Sequence, residues 1–357
     1  MTDPSTANRF EQAFGPCAWA IDDAMLDGDM LTVRGWLLAP VGRSRDMRFT
    51  VAGREFDAAD YPLDRSDLTE LLWFRANAAE SGFDCRVRLR PDELAGEHVA
   101  IAVTDRATGK PLDPLFPYFM PMPGHPEGKL PLPDTPRMLR TTGNDRIPNF
   151  RLTGMSTAMQ LRAAVDLVHR DFTTVKHVLD WGCGCGRIAR FCAGWPDFEG
   201  ADIDGDNAQW CKENYAFGDF QPIGLYPPTP FPDGRFDLVF GISVMTHLAE
   251  ESQQQWLAEL HRISAPYAVV LLTTLGEHAA ARAGLTPEQF SQFVAAGSAF
   301  FRTENPIDDA LGNTGYYGTM FMSHEHVRHK WSRWFSVDRI IPAHVGNHQD
   351  LVVLRRR

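Results

Sequence analysis

Short runs of alternating apolar and polar residues dominate residues 10–110. In the clearest run, Phe83 to Pro91, the apolar positions are Phe83, Cys85, Val87 and Leu89. Alternation with a period of two places apolar and polar side chains on opposite faces of a β-strand. Further runs of this kind are Leu31 to Pro40, Met47 to Phe56 (which turns at Ala52–Gly53) and His98 to Asp105. Several short strands separated by turn residues predict an all-β, sandwich-like or barrel-like domain at residues 1–110.

One segment of this region has helical spacing instead. Apolar residues between Ser66 and Ala79 recur every three or four positions. Ser66 is a good N-cap residue, and Gly82 lies just beyond the end of the pattern. The pattern therefore predicts a helix at Ser66 to Ala79.

Residues 111–137 are rich in proline. Proline fixes φ and has no amide hydrogen, so this composition disfavours a helix or a central strand. It predicts a semi-rigid linker that packs against its neighbours through Phe116, Tyr118 and Phe119. We place the domain boundary here, which leaves residues 138–357 for a second domain.

Apolar runs and helical periodicities alternate through the second domain. The predicted strands are His177 to Leu179, a run ending at Asp202, Asp219 to Leu225, Phe236 to Ser243, Tyr267 to Thr273, Phe335 to Ile341 and Leu351 to Leu354. The predicted helices are Thr157 to His169, Asp204 to Ala216, Glu251 to Ile263 and a helix capped by Ser323 that ends near Trp334. This alternation is typical of an α/β fold with a parallel, doubly wound sheet.

An insert at about residues 276–322 separates the fifth strand from the last helix. Its one clear helix begins with Thr286 as cap and Pro287 as first residue. A segment that follows the carboxyl end of a strand lies above the edge where open α/β sheets bind ligands, so we predict a substrate cover. Its aromatic and acidic residues suit sugars and many natural products: Phe290, Phe293, Phe300, Phe301, Glu304, Asp308, Asp309, Tyr316 and Tyr317. We expect Tyr316 and Tyr317 to contact the substrate.

The first strand of this domain runs into a glycine loop with the sequence VLDWGCGCGRIAR. Its glycines are Gly182, Gly184 and Gly186. Glycine permits a tight turn and a close approach of ligand, and a helical pattern with unpaired N–H groups follows. The spacing is acid-x-G-x-G-x-G followed by Arg187, which differs from the G-x-G-x-x-G of dinucleotide folds. Asp180 would repel a pyrophosphate and attract an ammonium group.

A second acid, Asp202, ends the next apolar run. A carboxylate at this place can accept hydrogen bonds from both ribose hydroxyls of a nucleoside, whereas Asp204 is placed to cap the following helix. With these two acids, the glycine loop, PPTPFPDGRFD and SVMTHL, the chain from about Asn149 onward resembles the class I S-adenosylmethionine-dependent methyltransferases.

This resemblance implies a Rossmann-like sheet of seven strands, whose last strand runs antiparallel to the others. It implies S-adenosyl-L-methionine as the cofactor. The implied cofactor-binding residues are Asp180, Gly182, Gly184, Gly186, Arg187, Asp202, Ile203, Leu225 and Ser243. Ile203 and Leu225 are expected to flank the adenine.

His247, in SVMTHL, lies just after the fourth strand and beside the expected position of the methyl group. A neutral imidazole there can take the proton of a hydroxyl that is being methylated; alternatively, the histidine orients the loop or caps the next helix. We expect O-methylation of a sugar or another small hydroxyl-bearing acceptor, with His247 as the catalytic base. The alternatives are N-methylation of a small natural-product amine, and glycan binding by an inactive methyltransferase domain.

The N-terminal segments GWLLAP, the short hairpin and SGFDCRVRL resemble accessory domains of bacterial, glycan-associated enzymes. Arg86, Arg88 and Arg90 share the polar face of one predicted strand. Such a face fits an acidic glycan, and it equally fits the solvated outer face of an antiparallel sheet. Both interpretations stay open at this stage.

Composition and charge narrow the classes of function. The 357 residues are 44% hydrophobic and 23% charged, which is typical of a globular protein with two domains. A formal net charge of -11 argues against a nucleic-acid partner. We find no apolar run of membrane-spanning length and no apolar core of a signal peptide in MTDPSTANRF, so we expect a cytoplasmic protein.

Cysteines and histidines give no metal signature. The six cysteines form no C-x-x-C pair, and a single residue between Cys183 and Cys185 is poor spacing for zinc. The segment HEHVRH is not H-E-x-x-H because Arg328 occupies the fifth position. We therefore predict no metal site, and no sequence feature indicates the oligomeric state.

Overall fold

The computed structural model describes residues 4–112, 117–168, 171–302 and 316–357. The strands of its N-terminal unit are β1 (Ala18–Asp27), β2 (Met30–Leu38), β3 (Met47–Val51), β4 (Arg54–Glu55), β5 (Ala58–Asp64), β6 (Glu80–Arg88), β7 (His98–Asp105) and β8 (Tyr118–Pro121). They form two antiparallel four-stranded sheets, with the orders β1-β2-β6-β5 and β4-β3-β7-β8. The predicted β-rich unit is therefore confirmed.

The core of this unit lies between its two sheets. The predicted apolar face of β6 is buried, because Phe83, Cys85, Val87 and Leu89 are all at most 3% exposed. The ring of Phe83 packs on that of Phe49 from the other sheet, with 4.7 Å between the centroids. The two sheets thus bury their apolar faces against each other, as in a sandwich.

The helix predicted at Ser66 to Ala79 is wrong. The helices of the N-terminal unit are α1 (Pro4–Phe14), α2 (Leu68–Leu71) and α3 (Pro91–Ala95). After α2 the chain turns inward, and the buried Arg75 donates hydrogen bonds to the carbonyls of Gly15, Pro16 and Ala39. These tertiary hydrogen bonds fix an irregular backbone and override the local helical periodicity.

The proline-rich segment contributes ordered elements to both units. β8 pairs antiparallel with β7 at the edge of its sheet, where a proline-containing strand is tolerated. Pro126–Lys129 forms a 3-10 turn. Within that turn, the buried Glu127 carboxylate receives hydrogen bonds from Arg151 and Arg190 of the C-terminal unit. The segment is therefore fixed to both units by hydrogen bonds.

The C-terminal unit contains β9 (Val178–Trp181), β10 (Phe198–Asp202), β11 (Gly218–Pro222), β12 (Phe236–Gly241), β13 (Ser264–Thr274), β14 (Ser298–Arg302), β15 (Gly318–Met322), β16 (Ser336–Val345) and β17 (Gln349–Arg355). Seven of these strands form one sheet in the order β11-β10-β9-β12-β13-β17-β16. β9 to β13 are parallel, whereas β17 runs antiparallel to β13 and β16. The Rossmann-like sheet with an antiparallel last strand is confirmed.

The helices of this unit are α4 (Thr135–Thr142), α5 (Ile147–Leu167), α6 (Gly205–Asn214), α7 (Glu250–Ile263), α8 (Glu277–Arg282), α9 (Pro287–Ala296) and α10 (His324–Trp331). Their predicted caps are confirmed at Asp204, Thr286 and Ser323, whose side chains each accept a hydrogen bond from the first turn. In the described ranges, no helix has both the length and the apolarity of a membrane span.

The α-helix predicted directly after the glycine loop is wrong. The loop leads instead into a single 3-10 turn, Ala189–Phe191. Gly194 and Pro196 follow within a few residues, and both disfavour continuation of a helix. The site at this loop therefore has no helix N-terminus pointing at its ligand.

Part of the insert packs against the N-terminal unit. α8 and α9 share an apolar cluster with α1 and with Trp36 and Leu38 of β2. β14 and β15 form a separate antiparallel pair. The start of β15 contacts the turn that carries His247, so the insert lies between the N-terminal unit and the carboxyl edge of the large sheet.

Candidate functional site

The glycine loop connects the end of β9 to the cleft at the carboxyl edge of the sheet. Gly182 has φ 83°, and a Cβ at this position would lie 2.4 Å from Val244 Cγ2. A Cβ on Gly184 would lie 2.5 Å from Thr141 Cγ2 of α4. Both positions exclude any side chain, because the loop is squeezed between α4 and the segment after β12.

Asp180, the acid before the loop, is only 1% exposed. Its Oδ2 atom has no hydrogen-bond partner among the described residues. Burial, and then the neighbouring Asp202 carboxylate, raise the pKa of Asp180 well above its usual range, and Arg187 opposes them. An ammonium group bound here would satisfy the orphaned oxygen and restore the charged carboxylate.

Arg187, directly after the third glycine, is a cation with few partners. Its Nη1 donates a long hydrogen bond of 3.5 Å to Thr157 Oγ1, and among the described residues no carboxylate forms an ion pair with it. Burial lowers the pKa of its guanidinium, whereas the nearby charge of Asp180 raises it. Asp180 and Arg187 therefore lie near each other without a direct ion pair, an arrangement that suits a zwitterionic amino-acid group whose ammonium would restore the charge of the Asp180 carboxylate.

Asp202 holds the loop in place. Its Oδ2 accepts a hydrogen bond from Gly184 N at 2.6 Å, and its Oδ1 accepts one from Asp204 N at 2.8 Å. Burial is the largest influence on its carboxyl and raises its pKa to about 6, although these hydrogen bonds oppose the shift. Asp204 points elsewhere, because it caps α6 and forms an ion pair with Arg140 at 2.8 Å.

The first of two adjoining cavities lies over this edge. It is lined by Arg140, Thr141, Trp181, Gly182, Gly184, Asp202, Ile203, Asn207, Ile223, Ile242, Ser243, Val244, His247, Leu248, Trp256, Tyr316 and Tyr317. Eight predicted site residues thus meet at one cavity. Asp180, Gly186, Arg187 and Leu225 are absent from this lining. Gly186 instead packs beneath the ring of Tyr215, where a Cβ would come within 2.3 Å of Cε2.

The second cavity lies beside the first, between α4, the start of α5 and the turn after β12. It is lined by Leu139, Arg140, Thr141, Thr142, Gly143, Asn144, Asn149, Phe150, Thr153, Arg187, Ser243 and His247. Arg140, Thr141, Ser243 and His247 line both cavities. These four residues therefore mark the junction, and Arg187 faces the second cavity only.

His247 ends the 3-10 turn Met245–His247. Its Nδ1 lies 2.9 Å from the carbonyl oxygen of Gly318, which can only accept a hydrogen bond, so Nδ1 carries the proton. Burial lowers the pKa of the imidazole from its ordinary value of 6.5. The ring is therefore neutral near pH 7 and has its lone pair on Nε2.

Two further predicted residues have defined partners. Ser243 has φ 62°, a strained backbone for a residue other than glycine, and its amide donates to Thr273 Oγ1 at 2.8 Å. Its hydroxyl accepts a hydrogen bond from Gln349 Nε2 at 2.7 Å. Tyr316 receives a hydrogen bond from Trp256 Nε1 at 3.1 Å and donates one to the Leu225 carbonyl at 2.9 Å. The carbonyl of Leu225 thus orients Tyr316.

Helix α4 also contributes to this edge, although its residues were not predicted from the sequence. Arg140 pairs with Asp204 at 2.8 Å and Asp206 at 2.6 Å, and Thr141 Oγ1 accepts a hydrogen bond from Cys185 N at 3.2 Å. The signals for this helix were present in the sequence. Asp134 is its N-cap, and Gly143, with φ 66°, is its left-handed C-cap.

The remaining candidates have local partners. His324 pairs with Asp350 at 2.7 Å, and His326 pairs with Glu250 at 2.8 Å. Across the described ranges, no three His, Cys, Asp or Glu side chains come together as a potential metal site. On the polar face of β6, Arg86 pairs with Asp60 and Asp84, and Arg88 pairs with Asp29. Exposed pairs of this kind are typical of a solvated face.

Comparison with known proteins adds an independent observation. A family profile described as a methyltransferase domain matches residues 178–267, a stretch that includes the glycine loop, Asp202 and His247. A probable chloroplastic tocopherol O-methyltransferase of Oryza sativa subsp. japonica is 30% identical over 109 residues. The match covers 28% of this chain and 29% of that relative, so the chain spans less than a third of the relative's length.

Solved structures of similar fold are distant in sequence. The PH0226 protein of Pyrococcus horikoshii OT3 is 16% identical with a TM-score of 0.40, over 62% of this chain and 96% of that one. The 1,6-didemethyltoxoflavin-N1-methyltransferase of Burkholderia thailandensis, solved with 1,6-didemethyltoxoflavin and S-adenosylhomocysteine, is 13% identical with a TM-score of 0.39. The similarity extends over 57% of this chain and 78% of that one.

The profile match concerns residues 178–267, about a quarter of the chain, and these residues resemble a methyltransferase domain. The buried, orphaned oxygen of Asp180 and the nearby guanidinium of Arg187 have the charges that the ammonium and carboxylate groups of an amino acid require.

Proposed function

We propose that this protein transfers the methyl group of S-adenosylmethionine to a hydroxyl of a sugar or another small acceptor. The observation that carries the proposal is the position and state of His247. It lines both cavities, and it is held as a neutral imidazole with the proton on Nδ1. Methylation of a hydroxyl is faster when a neutral base lies near the reacting oxygen. His247 is such a base, at the place where the proposed cofactor cavity meets the proposed acceptor cavity.

The first cavity is proposed to hold the nucleoside part of the cofactor. Asp202 lines it and would accept hydrogen bonds from the ribose hydroxyls, while Ile203 and Ile223 offer apolar faces for the adenine. Asp180 would bind the ammonium group and Arg187 the carboxylate of the methionine part. Gly182, Gly184 and Ser243 also line the first cavity and would contact the cofactor there. Gly186 packs on Tyr215 and the Leu225 carbonyl accepts a hydrogen bond from Tyr316, so these two residues would act on the cofactor through their neighbours.

The protein has two tasks in this reaction: it aligns the acceptor oxygen with the methyl group, and it accepts one proton. Bound S-adenosylmethionine supplies a methyl carbon made electrophilic by its positive sulfur. The acceptor oxygen bonds to that carbon as the carbon–sulfur bond breaks, and Nε2 of His247 takes the hydroxyl proton. His247 is half-buried at the junction of the two cavities, so a bound acceptor would displace water from its Nε2 side.

A sugar-like acceptor is supported by the aromatic residues near His247, which lines both cavities. The ring of Tyr317 lies 5.8 Å from that of His247 and 5.4 Å from that of Tyr316, between centroids. We propose that Tyr316 and Tyr317 contact the acceptor. The acids Glu304, Asp308 and Asp309 of the predicted substrate cover lie outside the described residues.

Binding and turnover test the proposal in two steps. Calorimetry with S-adenosylmethionine and with NAD is expected to show binding of the first only. Transfer of a labelled methyl group is then measured to a panel of monosaccharides, uronic acids and primary amines. Label on hydroxyl acceptors supports the proposal, whereas label on amines alone replaces it with N-methylation. Binding without transfer to any member of a broad panel would favour an inactive, ligand-binding domain.

A further inference from the structure

The N-terminal helix α1 packs directly on the insert. The ring of Phe10 stacks on that of Phe290 in α9, with 4.1 Å between the centroids. Phe14 stacks on His278 of α8 at 5.2 Å, and its carbonyl lies 2.8 Å from His278 Nδ1. Both phenylalanines are only 1% exposed. α1 is therefore part of the same apolar core as α8 and α9.

The packing continues from α9 to β15. Phe290 contacts Phe293 at 6.2 Å between centroids, and Phe293 contacts Phe321 of β15 at 6.0 Å. Hydrogen bonds hold the end of this strand, because Met322 N donates to the Leu275 carbonyl at 2.8 Å. β15 is thus fixed between the core shared with α1 and the end of β13.

The start of β15 reaches the site. The carbonyl of Gly318 accepts the hydrogen bond from His247 Nδ1 at 2.9 Å, and Tyr317 forms a β-bridge with Leu248. Gly318 lies tightly on β14, since a Cβ there would lie 2.4 Å from the ring of Phe300. A continuous series of contacts therefore leads from Phe10 through Phe290, Phe293 and Phe321 to the carbonyl that selects the tautomer of His247.

We propose that α1 is a positioning element for the active site: through the insert, Phe10 holds β15 where Gly318 fixes His247 with the proton on Nδ1. The N-terminal unit thereby contributes to the chemistry without touching a reactant. The significance for catalysis rests on the proposed function of His247, but the proposed coupling concerns the tautomer of His247 and can be measured without an acceptor.

The test compares Phe10→Ala with the control Phe49→Ala. Phe49 is also a buried ring of the N-terminal unit, but it packs on Phe83 and Tyr61 inside the sandwich, away from the insert. Phe10→Leu keeps most of the apolar volume and is the conservative variant that should restore the wild-type behaviour.

Amide hydrogen exchange is followed by mass spectrometry over residues 316–322, and the ring nitrogens of His247 are followed by long-range ¹H–¹⁵N spectra. The His247 signals are identified by their loss in His247→Gln.

We expect Phe10→Ala to speed amide hydrogen exchange in β15 by about tenfold or more and to convert His247 to a mixture of tautomers. Phe10→Leu should restore both readouts toward the wild type, and Phe49→Ala should change neither. Faster exchange in α1 with an unchanged β15 and an unchanged His247 tautomer would overturn the proposal. If Phe10→Ala does not fold, Phe290→Leu decides the question by the same two readouts.

One further measurement keeps this proposal separate from the function. The affinity for S-adenosylhomocysteine should change far less in Phe10→Ala than in Asp180→Asn, since the contacts of α1 described above are to α8 and α9 and not to Asp180 or Asp202. A wild-type protein that does not bind S-adenosylhomocysteine would contradict the proposed function, while the tautomer comparison would still decide the coupling.

Discussion

Arg190 donates a hydrogen bond from Nε to Oε2 of Glu127 at 2.7 Å, and both side chains are almost completely buried. Glu127 belongs to the proline-rich segment, whereas Arg190 follows the glycine loop. Arg190 also donates to the carbonyls of Glu127 and Leu130. The segment predicted as a linker is therefore attached at the back of the glycine loop through one buried guanidinium.

Removal of Glu127 is expected to destabilise the C-terminal unit strongly. Glu127→Ala leaves Arg190 charged, buried and without a carboxylate, and a broken buried pair costs about 3–5 kcal/mol. Chemical denaturation measures the loss. The control is Asp29→Ala, which breaks an exposed pair with Arg88 and should cost about 1 kcal/mol or less. Equal, small losses in both variants would show that the buried pair is not important for folding.

The Glu127–Arg190 pair also provides a test of the proposed domain boundaries. Residues 1–110, 111–137 and 138–357 remain our proposed accessory domain, linker and catalytic domain. A fragment that begins at residue 123 keeps Glu127 but exposes the apolar faces that α8 and α9 share with α1 and β2, so it should be less stable than the whole chain. It should still bind S-adenosylmethionine, whereas a fragment that begins at residue 138 should be less stable again. Circular dichroism and calorimetry of the two fragments check this, and failure of both to fold would show that the catalytic unit cannot fold without this shared core.

Asp180→Asn is expected to abolish binding of S-adenosylmethionine without loss of stability. The wild-type carboxyl is buried with an unpartnered oxygen and a raised pKa, so a neutral amide removes an unfavourable charge from the folded chain. Calorimetry should show no binding, while the melting temperature stays equal or rises. Asp219→Asn, on an exposed position, is the control. Tight binding by Asp180→Asn would remove the ammonium assignment.

His247→Ala is expected to lower turnover by roughly 10²–10⁴-fold, the usual contribution of a general base. Affinity for S-adenosylmethionine should stay nearly unchanged, because His247 hydrogen-bonds to the carbonyl of Gly318 and not to a side chain assigned to the cofactor. We propose a mechanism without metal, so EDTA should have no effect. Near-normal turnover in the variant would remove the base, and EDTA inhibition relieved by magnesium would remove the metal-free mechanism.

The pH profile of turnover follows from the same histidine. Burial lowers the pKa of His247 below 6.5, and the base acts in its neutral form. Turnover should therefore stay level from pH 8 down to about 6.5 and decline only in more acidic solution. A profile that already declines between about pH 8 and 7 would show a base with an ordinary or raised pKa.

Stability should decline in mild acid because of two other histidines. Burial lowers the pKa of His344 to about 4 and that of His348 to about 3, from 6.5. The unfolded chain therefore binds protons that the folded chain excludes, so their contribution is complete above pH 6.5 and is lost as the pH falls toward 4. Denaturation at several pH values measures the slope. His348→Gln should flatten it, whereas His329→Gln, on an exposed position, should not.

Local patterns predicted much of the fold because burial repeats with the period of each element. Phe83 to Leu89 alternate between two faces, and Asp204, Thr286 and Ser323 use their side chains as helix caps. The helix at Ser66 to Ala79 was wrong because Arg75 finds backbone carbonyls from two distant segments. The spacing of neighbouring residues in the sequence gives no information about such long-range partners.

The residues of the proposed cofactor edge lie close together for a related reason. Gly182, Gly184 and Asp202 lie on consecutive strand ends, and parallel strands bring those ends together. The contributions of Arg140 and Thr141 were not recognised, because α4 follows a run of prolines and reaches the site from outside the matched domain. The partner of His247 was equally hidden, since Gly318 contributes only its backbone carbonyl.

The end of α4 forms a wall shared by two cavities, and this has a kinetic consequence. Arg140 and Thr141 face both sides of that wall, and Arg140 is attached to α6 by ion pairs with Asp204 and Asp206. We expect a displacement of the end of α4 to affect cofactor release and acceptor entry together, because both cavities share that wall. Salt that screens the ion pairs of Arg140 is expected to speed both steps.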